Sequence, residues 1–344
     1  MVTRRNFMSG GAAIATAAVT LAAPAIAQAK THRWRIQTLW QAGTVNQQAF
    51  ERFCANVKAM TEGRVEITPL ASGAAVGVLE TLDAVTRGLL DGHHPATVYW
   101  TGRNPAFGII GDLNGAYDSP YQAQDYFENY GGLDLLREIY QPFKIYPIGV
   151  AWWGVESIPV NRAVRTPDDL KGLKMRLPQG MSADIFAKFG VVAVNLPGTE
   201  VFSGLDRGVI EAADWGTLGM NAEIGLHEKA KYALFPGFHS MPVGDVSVNQ
   251  DRWDALTPDL KAILTIAVRD FARDMVQSVA RQDISTAVKL AEKKVEMIGW
   301  SADVRRQFRT VAADVWQQYA QKNELCRKAV DGQVDYLKSH GLLG

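Results

Sequence analysis

The longest stretch of this chain without an internal proline or glycine runs from Asp259 to Ile298. Thr257 can cap a helix here, and Pro258 suits the first helical position. A single helix over this span would be roughly 60 Å long, which exceeds one small domain, so it would run beneath two. The alternative is a break near Asp283. Apolar residues recur at helical spacing: Leu260, Ile263, Leu264, Ala267, Val268, Phe271, Met275, Val279 and Val288.

Upstream of this span, segments typical of strands alternate with segments typical of helices. Apolar or alternating runs at 34–38, 64–70 and 145–150 predict strands, while helical spacing predicts helices over 46–61 and 78–90. This alternation predicts an α/β fold. The length of 344 residues favours two domains.

Composition excludes some classes of function. The 36 basic and 36 acidic side chains cancel, so a general attraction to nucleic acid or to an anionic membrane is not indicated. Cys54 and Cys326 are too far apart in sequence for a metal-ligand spacing. They are either two free buried thiols or an interdomain disulfide.

The N-terminus predicts export from the cytoplasm. Arg4 and Arg5 precede a small apolar stretch over 12–23, and Ala25 and Ala27 occupy the A-x-A positions of a cleavage site. The adjacent arginines resemble a twin-arginine signal peptide, here residues 1–27. A membrane anchor is the alternative, but the apolar stretch is shorter than the roughly 20 residues that a spanning helix needs. We therefore expect a periplasmic protein.

A set of residues between Asp169 and Trp215 carries a family resemblance. They are Leu170, Lys171, Gly172, Leu173, Lys174, Met175, Arg176, Gly190, Pro197, Glu200, Leu205, Gly208, Ile210 and Ala213. In order and spacing they resemble the DctP family of TRAP-transporter substrate-binding proteins, and the match extends over the mature chain. Tyr99-Trp100, Asp214-Trp215 and Phe235-Pro236-Gly237 resemble the branch that binds 2-oxo acids and related carboxylates.

The resemblance implies a two-lobed α/β fold of the periplasmic-binding-protein type, with a hinge cleft and a long C-terminal helix spanning both lobes. Lobe I is expected to comprise 30–148 and 240–285, and lobe II 149–239 and 286–344. The resemblance also implies a binding protein rather than an enzyme. Its partners would be a small organic carboxylate and the membrane subunits of a transporter driven by an ion gradient. The exposed side of the long helix could also pair two chains as a homodimer.

Arg176 is the first candidate for ligand binding. A guanidinium presents a planar fork that matches both oxygens of a carboxylate, and the resemblance places this arginine in the cleft. The alternative from spacing alone is a surface arginine at the end of an edge strand. His239 could add a hydrogen bond in the cleft, or it could lie in a surface loop.

The resemblance also implies a cation that bridges to the substrate. Asp214 and the backbone carbonyl of Trp215 would hold Na⁺ or Ca²⁺, since hard cations take oxygen ligands. This chain has Asp214 where the branch has a longer Glu, and Glu156 lies beside the position where a Gln is expected. Asp245 is the candidate for a second acid. Without an ion, Asp214 would accept hydrogen bonds from backbone groups.

Several aromatic residues fall near the predicted edges of the cleft: Trp40, Tyr99, Trp100, Trp152, Trp153, Trp215 and Phe238. Aromatic walls would bury an apolar part of the ligand and exclude water, which strengthens an arginine–carboxylate pair. Packing in the core is the alternative. Glu156 is a further candidate for ligand contact.

Two other functions remain open from the sequence. A periplasmic lyase or hydrolase could use His93, His94 or Asp214, although neither G-x-S-x-G nor H-E-x-x-H occurs. His93 and His94 are adjacent, so on a strand they face opposite sides and would not ligate one metal together. A binding protein for an ATP-driven importer is the second alternative. The ligand could be a keto, hydroxy, sugar or aromatic acid.

Overall fold

Two β-sheets and the helices around them make up the computed structural model, which describes residues 31–343. The predicted signal peptide over 1–27 lies outside these residues. The helices are α1 (Val45–Met60), α2 (Thr81–Thr86), α3 (Ala106–Gly111), α4 (Pro120–Asn129), α5 (Gly132–Tyr140), α6 (Met181–Lys188), α7 (Val201–Asp206), α8 (Leu218–Glu223), α9 (Leu226–Lys229), α10 (Gln250–Asp254), α11 (Pro258–Glu292), α12 (Ala302–Ala320) and α13 (Glu324–Ser339). The strands are β1 (His32–Thr38), β2 (Val65–Leu70), β3 (Gly92–His94), β4 (Ile145–Trp152), β5 (Ile158–Val160), β6 (Lys174–Arg176), β7 (Val192–Val194), β8 (Ala212–Ala213), β9 (Tyr232–Leu234), β10 (Val243–Asn249) and β11 (Glu296–Ile298).

The first sheet has five strands in the order β2-β1-β3-β10-β4. β1 pairs in parallel with β2 and β3, and β10 runs antiparallel between β3 and β4. α1 packs on β2 and connects it to β1 as a crossover helix. The sheet is therefore a mixed α/β layer, as the alternating segments predict.

The second sheet has six strands in the order β11-β9-β5-β8-β6-β7. β6 pairs in parallel with both β7 and β8, whereas β5 runs antiparallel to its two neighbours β8 and β9. The carboxyl ends of β6, β7 and β8 consequently lie at one edge, which is the edge where ligands bind in open α/β sheets. Two sheets with their own helices confirm the predicted two-lobed α/β fold.

The long helix α11 is continuous and links the two sheets. Its 35 residues give a length of about 50 Å, and there is no break at Asp283. It packs on α1 and β4 of the first sheet and on α8 beside the second sheet. The Asp283 carboxylate accepts a hydrogen bond of 2.7 Å from the amide of Gly219, at the start of α8. The expected helix spanning both lobes is therefore present.

Two predicted helices end earlier than their patterns suggest. α11 stops at Glu292 rather than near Ile298, because Lys294 takes a left-handed backbone conformation with φ 61° and the next residues pair as β11 with β9. The helix predicted over 78–90 is a 3₁₀ turn followed by the short α2, and Gly88 with φ 73° follows its end. In the first case strand pairing overrides helical spacing.

The segments 153–157 and 235–242 connect the two sheets. The first joins β4 to β5 and the second joins β9 to β10. They are bound to each other, since the Glu156 amide donates to the Ser240 carbonyl at 2.8 Å. Gly237 allows this approach, because a β-carbon there would lie 1.8 Å from the Glu156 carbonyl oxygen. The chain thus crosses between the sheets along two segments whose backbones are in close contact.

The expected lobe boundaries remain a prediction, and two features depart from them. The boundary at 148 falls inside β4, which continues to Trp152. α13, expected with lobe II, packs against α3 and α5 beside the first sheet. Gln333 of α13 contacts this region directly, because its side-chain oxygen accepts from the Tyr117 hydroxyl at 3.1 Å. The C-terminal helices therefore run back across to the first sheet.

Cys54 and Cys326 are free thiols, and both are buried. This confirms the first of the two alternatives, free thiols, and excludes a disulfide between them in this structure. None of the helices within 31–343 combines the length and the apolarity that a bilayer span requires.

Candidate functional site

Arg176 and Asp214 are brought together by neighbouring parallel strands. Arg176 is the last residue of β6, and Asp214 directly follows β8. The Asp214 amide donates to the Arg176 carbonyl at 3.0 Å, so the two residues are locked side by side at the carboxyl edge of the second sheet. β6 lies between β8 and β7, so it is not the outermost strand of the sheet. The alternative that Arg176 ends an edge strand is therefore wrong.

Backbone carbonyls hold the Arg176 guanidinium in place. Nε donates to the Leu196 carbonyl at 3.2 Å, and Nη1 donates to the Asp214 carbonyl. The guanidinium also lies over the Trp215 ring, 5.6 Å from its centroid, within the range of a cation–π contact. Among the described residues Nη2 has no hydrogen-bond acceptor. The fork is therefore fixed by the protein on one side, while N–H groups of Nη1 and Nη2 remain available to an anion.

A cluster of two acids and a histidine lies beside this arginine. Glu156, Asp214 and His239 each present a ligand atom within 4.8 Å of the others, and all three are buried. His239 Nε2 lies 3.2 Å from Asp214 Oδ1, so it is placed to donate to that carboxylate. Glu156 and His239 come from the two segments that cross between the sheets. The cluster therefore spans the second sheet and the crossing segments.

Asp112 and Ser240 extend the cluster toward the first sheet. Asp112 follows α3, and it accepts from the Ser240 hydroxyl at 2.7 Å and from the Met241 amide at 3.1 Å. The same hydroxyl lies 3.0 Å from Glu156 Oε2. A hydroxyl has a single proton, so a Ser240 that donates to Asp112 must accept the hydrogen of a protonated Glu156. This geometry therefore requires a proton, or another cation, between Asp112 and Glu156.

The pKa directions agree with this arrangement. Burial, together with the charges of Asp214 and Asp112, raises the pKa of Glu156 well above its usual range. Desolvation likewise raises the pKa of Asp112 to about 6. Burial acts to raise the pKa of Asp214 too, but His239, the hydrogen bond with Glu156 and the Arg176 charge outweigh it, so the pKa is lowered. The shifts favour the ionised form of Asp214 and the protonated form of Glu156.

Three of the predicted aromatic residues adjoin this cluster. The Trp153 indole N–H points to Glu156 Oε1 at 3.5 Å, and Trp40 packs edge-on against Trp153 with centroids 4.9 Å apart. Tyr99 is exposed by residue surface area, and the pKa of its hydroxyl is raised first by desolvation and then by the charge of Glu156. Trp153 therefore contacts Glu156 directly, while Trp40 and Tyr99 lie near it on the side of the first sheet.

Phe238 and Asp245 have other partners. Phe238 stacks on Trp300 with centroids 3.9 Å apart, which places its ring in the core. Asp245 accepts hydrogen bonds from Thr97 and Tyr140, at 2.8 and 2.9 Å. The structure thus does not bring either side chain together with Asp214 and Glu156. His93 and His94 face opposite sides of β3, as expected, since His93 stacks on Trp100 and His94 on Phe50.

Sequence reasoning missed Asp112 as a member of the site. Asp112 lies 128 residues from Ser240 in sequence, and no local pattern connects the two. An acid and Asn114 directly after the apolar helix α3 are a weak signal, since Asn114 Nδ2 donates to Asp112 Oδ2 at 2.8 Å. Their role follows from the fold and not from spacing.

A family model matches the part of the chain that builds both sheets and this site. The model describes DctP, the bacterial extracellular solute-binding proteins of family 7, and it matches residues 36–323. The chain belongs to this family. Members of the DctP family are periplasmic substrate-binding proteins of TRAP transporters, which bind small carboxylates and work with membrane subunits.

A curated relative and two solved structures illustrate the family. A monocarboxylate 2-oxoacid-binding periplasmic protein of Nostoc sp. is 28% identical over 293 residues, covering 85% of this chain and 80% of the relative. A TRAP periplasmic solute-binding protein of Rhodobacter sphaeroides, in an apo open structure, is 38% identical with a TM-score of 0.84, covering 91% of this chain and 100% of the other. A TRAP protein of Pseudoalteromonas atlantica with bound sodium and pyruvate is 26% identical with a TM-score of 0.76, covering 90% and 95%.

Proposed function

We propose that this chain is the exported, periplasmic binding protein of a TRAP transporter and that it captures a 2-oxo acid or a related small monocarboxylate. The ligand lies between the two sheets, with its carboxylate paired to Arg176. Trp40, Tyr99, Trp153 and Trp215 exclude water around it. The chain then delivers the ligand to membrane subunits for uptake driven by an ion gradient.

The state of Arg176 is the observation that carries this proposal. Its guanidinium is oriented by the carbonyls of Leu196 and Asp214 and by the Trp215 ring. None of these partners neutralises its charge, because carbonyls and an indole ring carry none. A fixed cation with free N–H groups beside a partly exposed edge is a receptor for an anion, and a planar carboxylate matches the fork.

The acids beside Arg176 support a bridging cation, Na⁺ or Ca²⁺. Glu156 and Asp214 are buried and adjacent, and the Ser240 hydroxyl links Glu156 to Asp112, so three carboxyl groups lie close together here. Such a group of acidic oxygens suits a hard cation. We propose that the carboxylates of Asp214 and Glu156 and the carbonyl of Trp215 hold it, while His239 orients Asp214. Bound there, the cation would compensate the acids and attract the ligand's oxygen atoms.

Family membership favours transport over the enzymatic alternative. The DctP family and the similar structures are substrate-binding transport proteins. They are proteins of TRAP systems, which also favours an ion gradient over ATP as the driving force. Lobe closure by the crossing segments would complete the site around the ligand, as in other hinged binding proteins.

The experiment is a titration of pyruvate into the purified mature protein, with Na⁺ or Ca²⁺ present, followed by isothermal calorimetry. Arg176→Ala should weaken binding by about 2–5 kcal/mol, since it removes one partner of a charge-assisted pair. Arg176→Lys should also bind poorly, because an ammonium lacks the fork. Chelation or replacement of the cation should lower the affinity as well.

Arg162 offers a matched control. It also lies beside the second sheet, and its guanidinium donates to two backbone carbonyls, those of Asp169 and Lys171. It has no contact with the acid cluster, so Arg162→Ala should leave the affinity unchanged. If Arg176→Ala bound pyruvate and other small 2-oxo acids as tightly as the wild type, the assignment of the site would be wrong.

A further inference from the structure

Gly198 lies on the loop that follows β7, behind the Trp215 indole. A β-carbon placed on Gly198 would lie 2.0 Å from Trp215 Cζ3 and 2.3 Å from Cη2. Contacts below 3.0 Å do not occur for real β-carbons, and an indole is too rigid to bend out of the way. Any residue larger than glycine at 198 therefore moves the Trp215 ring.

Backbone conformation does not explain this glycine. The glycines of this chain that adopt positive φ include Gly172, Gly190 and Gly208, and Gly198 is not among them. An alanine could adopt the backbone conformation of Gly198 without strain, because the left-handed region is not used. What glycine supplies here is the absence of a side chain, so the constraint is the space that the indole occupies.

The position of the indole matters because Arg176 is stacked on it. The Arg176 guanidinium lies 5.6 Å from the centre of the Trp215 ring, and its Nε is bound to the Leu196 carbonyl. The loop after β7 therefore holds the arginine twice, directly through Leu196 and indirectly through Gly198 and the indole. Trp215 also packs on the small apolar cluster of Val201, Leu205, Ile210, Ala213 and Leu226, which limits where the ring can go.

We infer that Gly198 is a positioning residue for the ligand: it leaves the space that seats Trp215, and through Trp215 it sets the height and tilt of the Arg176 fork. This inference rests on the proposed function in that Arg176 is taken to be the carboxylate receptor. It goes further because it assigns the precision of that receptor to a residue without a side chain. Gly198 itself has no side chain that could contact the ligand.

A double-mutant cycle tests the inference. The variants are Gly198→Ala, Trp215→Leu and the double variant, and the measurement is the affinity for pyruvate at a temperature where each variant is fully folded. In the wild-type background Gly198→Ala should lower the affinity by about 10-fold or more. In the Trp215→Leu background the same change should alter it by about 2-fold or less, because the colliding atoms are gone.

Gly102→Ala is the matched control. A β-carbon at Gly102 meets nothing within 4 Å, and its φ is not positive, so this variant should bind as the wild type does. Equal losses from Gly198→Ala in the two Trp215 backgrounds would overturn the inference. So would wild-type affinity in Gly198→Ala alone.

A readout without ligand separates this inference from the proposed function. In the wild-type background, Gly198→Ala should lower the midpoint of thermal unfolding. In the Trp215→Leu background, the same change should alter the midpoint little. If the wild type bound no carboxylate but the thermal cycle showed this coupling, the contact would stand and the proposed function would fail. If the wild type bound pyruvate and neither cycle showed coupling, the positioning role of Gly198 would fail alone.

Discussion

Two buried clusters of this molecule contain the same kinds of residue but differ in how their buried acids are stabilised. Around Asp245 the carboxylate accepts from three hydroxyls, those of Thr97, Tyr140 and Ser247. Around Glu156 and Asp214 several acids lie together, and one hydroxyl, that of Ser240, is shared between Asp112 and Glu156. The first cluster holds one carboxylate among three hydroxyl donors, whereas the second brings three acids together, for which we propose a compensating cation.

Histidine shows the same contrast. His93 Nε2 lies 3.9 Å from Asp245 Oδ2, beyond hydrogen-bonding distance, and burial lowers the pKa of His93 to about 3. His239 Nε2 lies 3.2 Å from Asp214 Oδ1. His93, near Asp245, is therefore an uncharged side chain packed in the core, while His239 is placed to orient the Asp214 carboxylate. A matching inventory of residue types does not by itself mark a site; here the close approach of several buried acids does.

The largest expected effect on this comparison is on stability, from Asp245→Ala. The change leaves three buried hydroxyls without their acceptor, so the free energy of unfolding should fall by about 3–5 kcal/mol. Denaturation in urea measures it. The affinity for pyruvate should not change at a temperature where the variant is folded. A loss of binding in the folded variant would mean that the two clusters are not independent.

Asp245→Asn sharpens the comparison through pH. Burial raises the pKa of Asp245 from 3.8 to about 6, so its protonated form is favoured in the folded state. The stability that this group contributes is present below pH 3.8 and is lost as pH rises through 6. At about 1.4 kcal/mol per pKa unit, the loss is about 3 kcal/mol. The free energy of unfolding of the wild type minus that of Asp245→Asn should therefore decrease by most of this amount between pH 4 and pH 7.

Urea denaturation at several pH values measures this difference. His93 and His94 act in the opposite direction, since burial lowers the pKa of His94 to about 4 and neutral buried histidines lose stability as pH falls below their usual pKa. Because both proteins retain these histidines, subtraction removes their contribution. A difference that did not vary with pH would contradict the raised pKa of Asp245.

The smallest expected effect comes from Glu156→Gln, and it has opposite signs on stability and on binding. The pKa of Glu156 is raised by burial and by its acidic neighbours, so the wild type loses stability as pH rises through that pKa, whereas an amide does not ionise. Relative to the wild type, the variant should therefore gain stability as pH rises, by about 1 kcal/mol. Its affinity for pyruvate and a cation should nevertheless fall. Tighter binding in this variant would show that the acid is not retained for ligand capture.

The sequence predicts the fold better than it predicts the details of the site. Helical spacing and the absence of Pro and Gly locate α11, and alternation locates β1 and β2, because these signals are local. The end of α11 could not be predicted, since it depends on β11 pairing with β9 across the sheet. Arg176, Asp214 and Trp215 could be found because they lie in one continuous segment with a family pattern.

Asp112 and Gly198 mark where sequence reasoning ends. The contact of Asp112 with Ser240 joins residues 128 positions apart, so no periodicity reveals it. Asp245 illustrates the opposite case: the sequence makes it a candidate for the second acid of the cation site, but its carboxylate is bound by Thr97 and Tyr140 instead. Gly198 looks like any loop glycine until the position of the Trp215 ring is known. Each of these depends on side-chain placement after folding.

The anchoring of α11 to both sheets has a consequence for the energetics of capture. α11 packs on α1 and β4 near its start, and Asp283 near its end binds the Gly219 amide. A single helix held at both places restricts most relative motions of the two sheets. Few degrees of freedom then remain for a ligand to freeze, so little of its contact energy is spent on ordering the protein. A very small guest, with few atoms to contribute, can be held firmly by such a receptor.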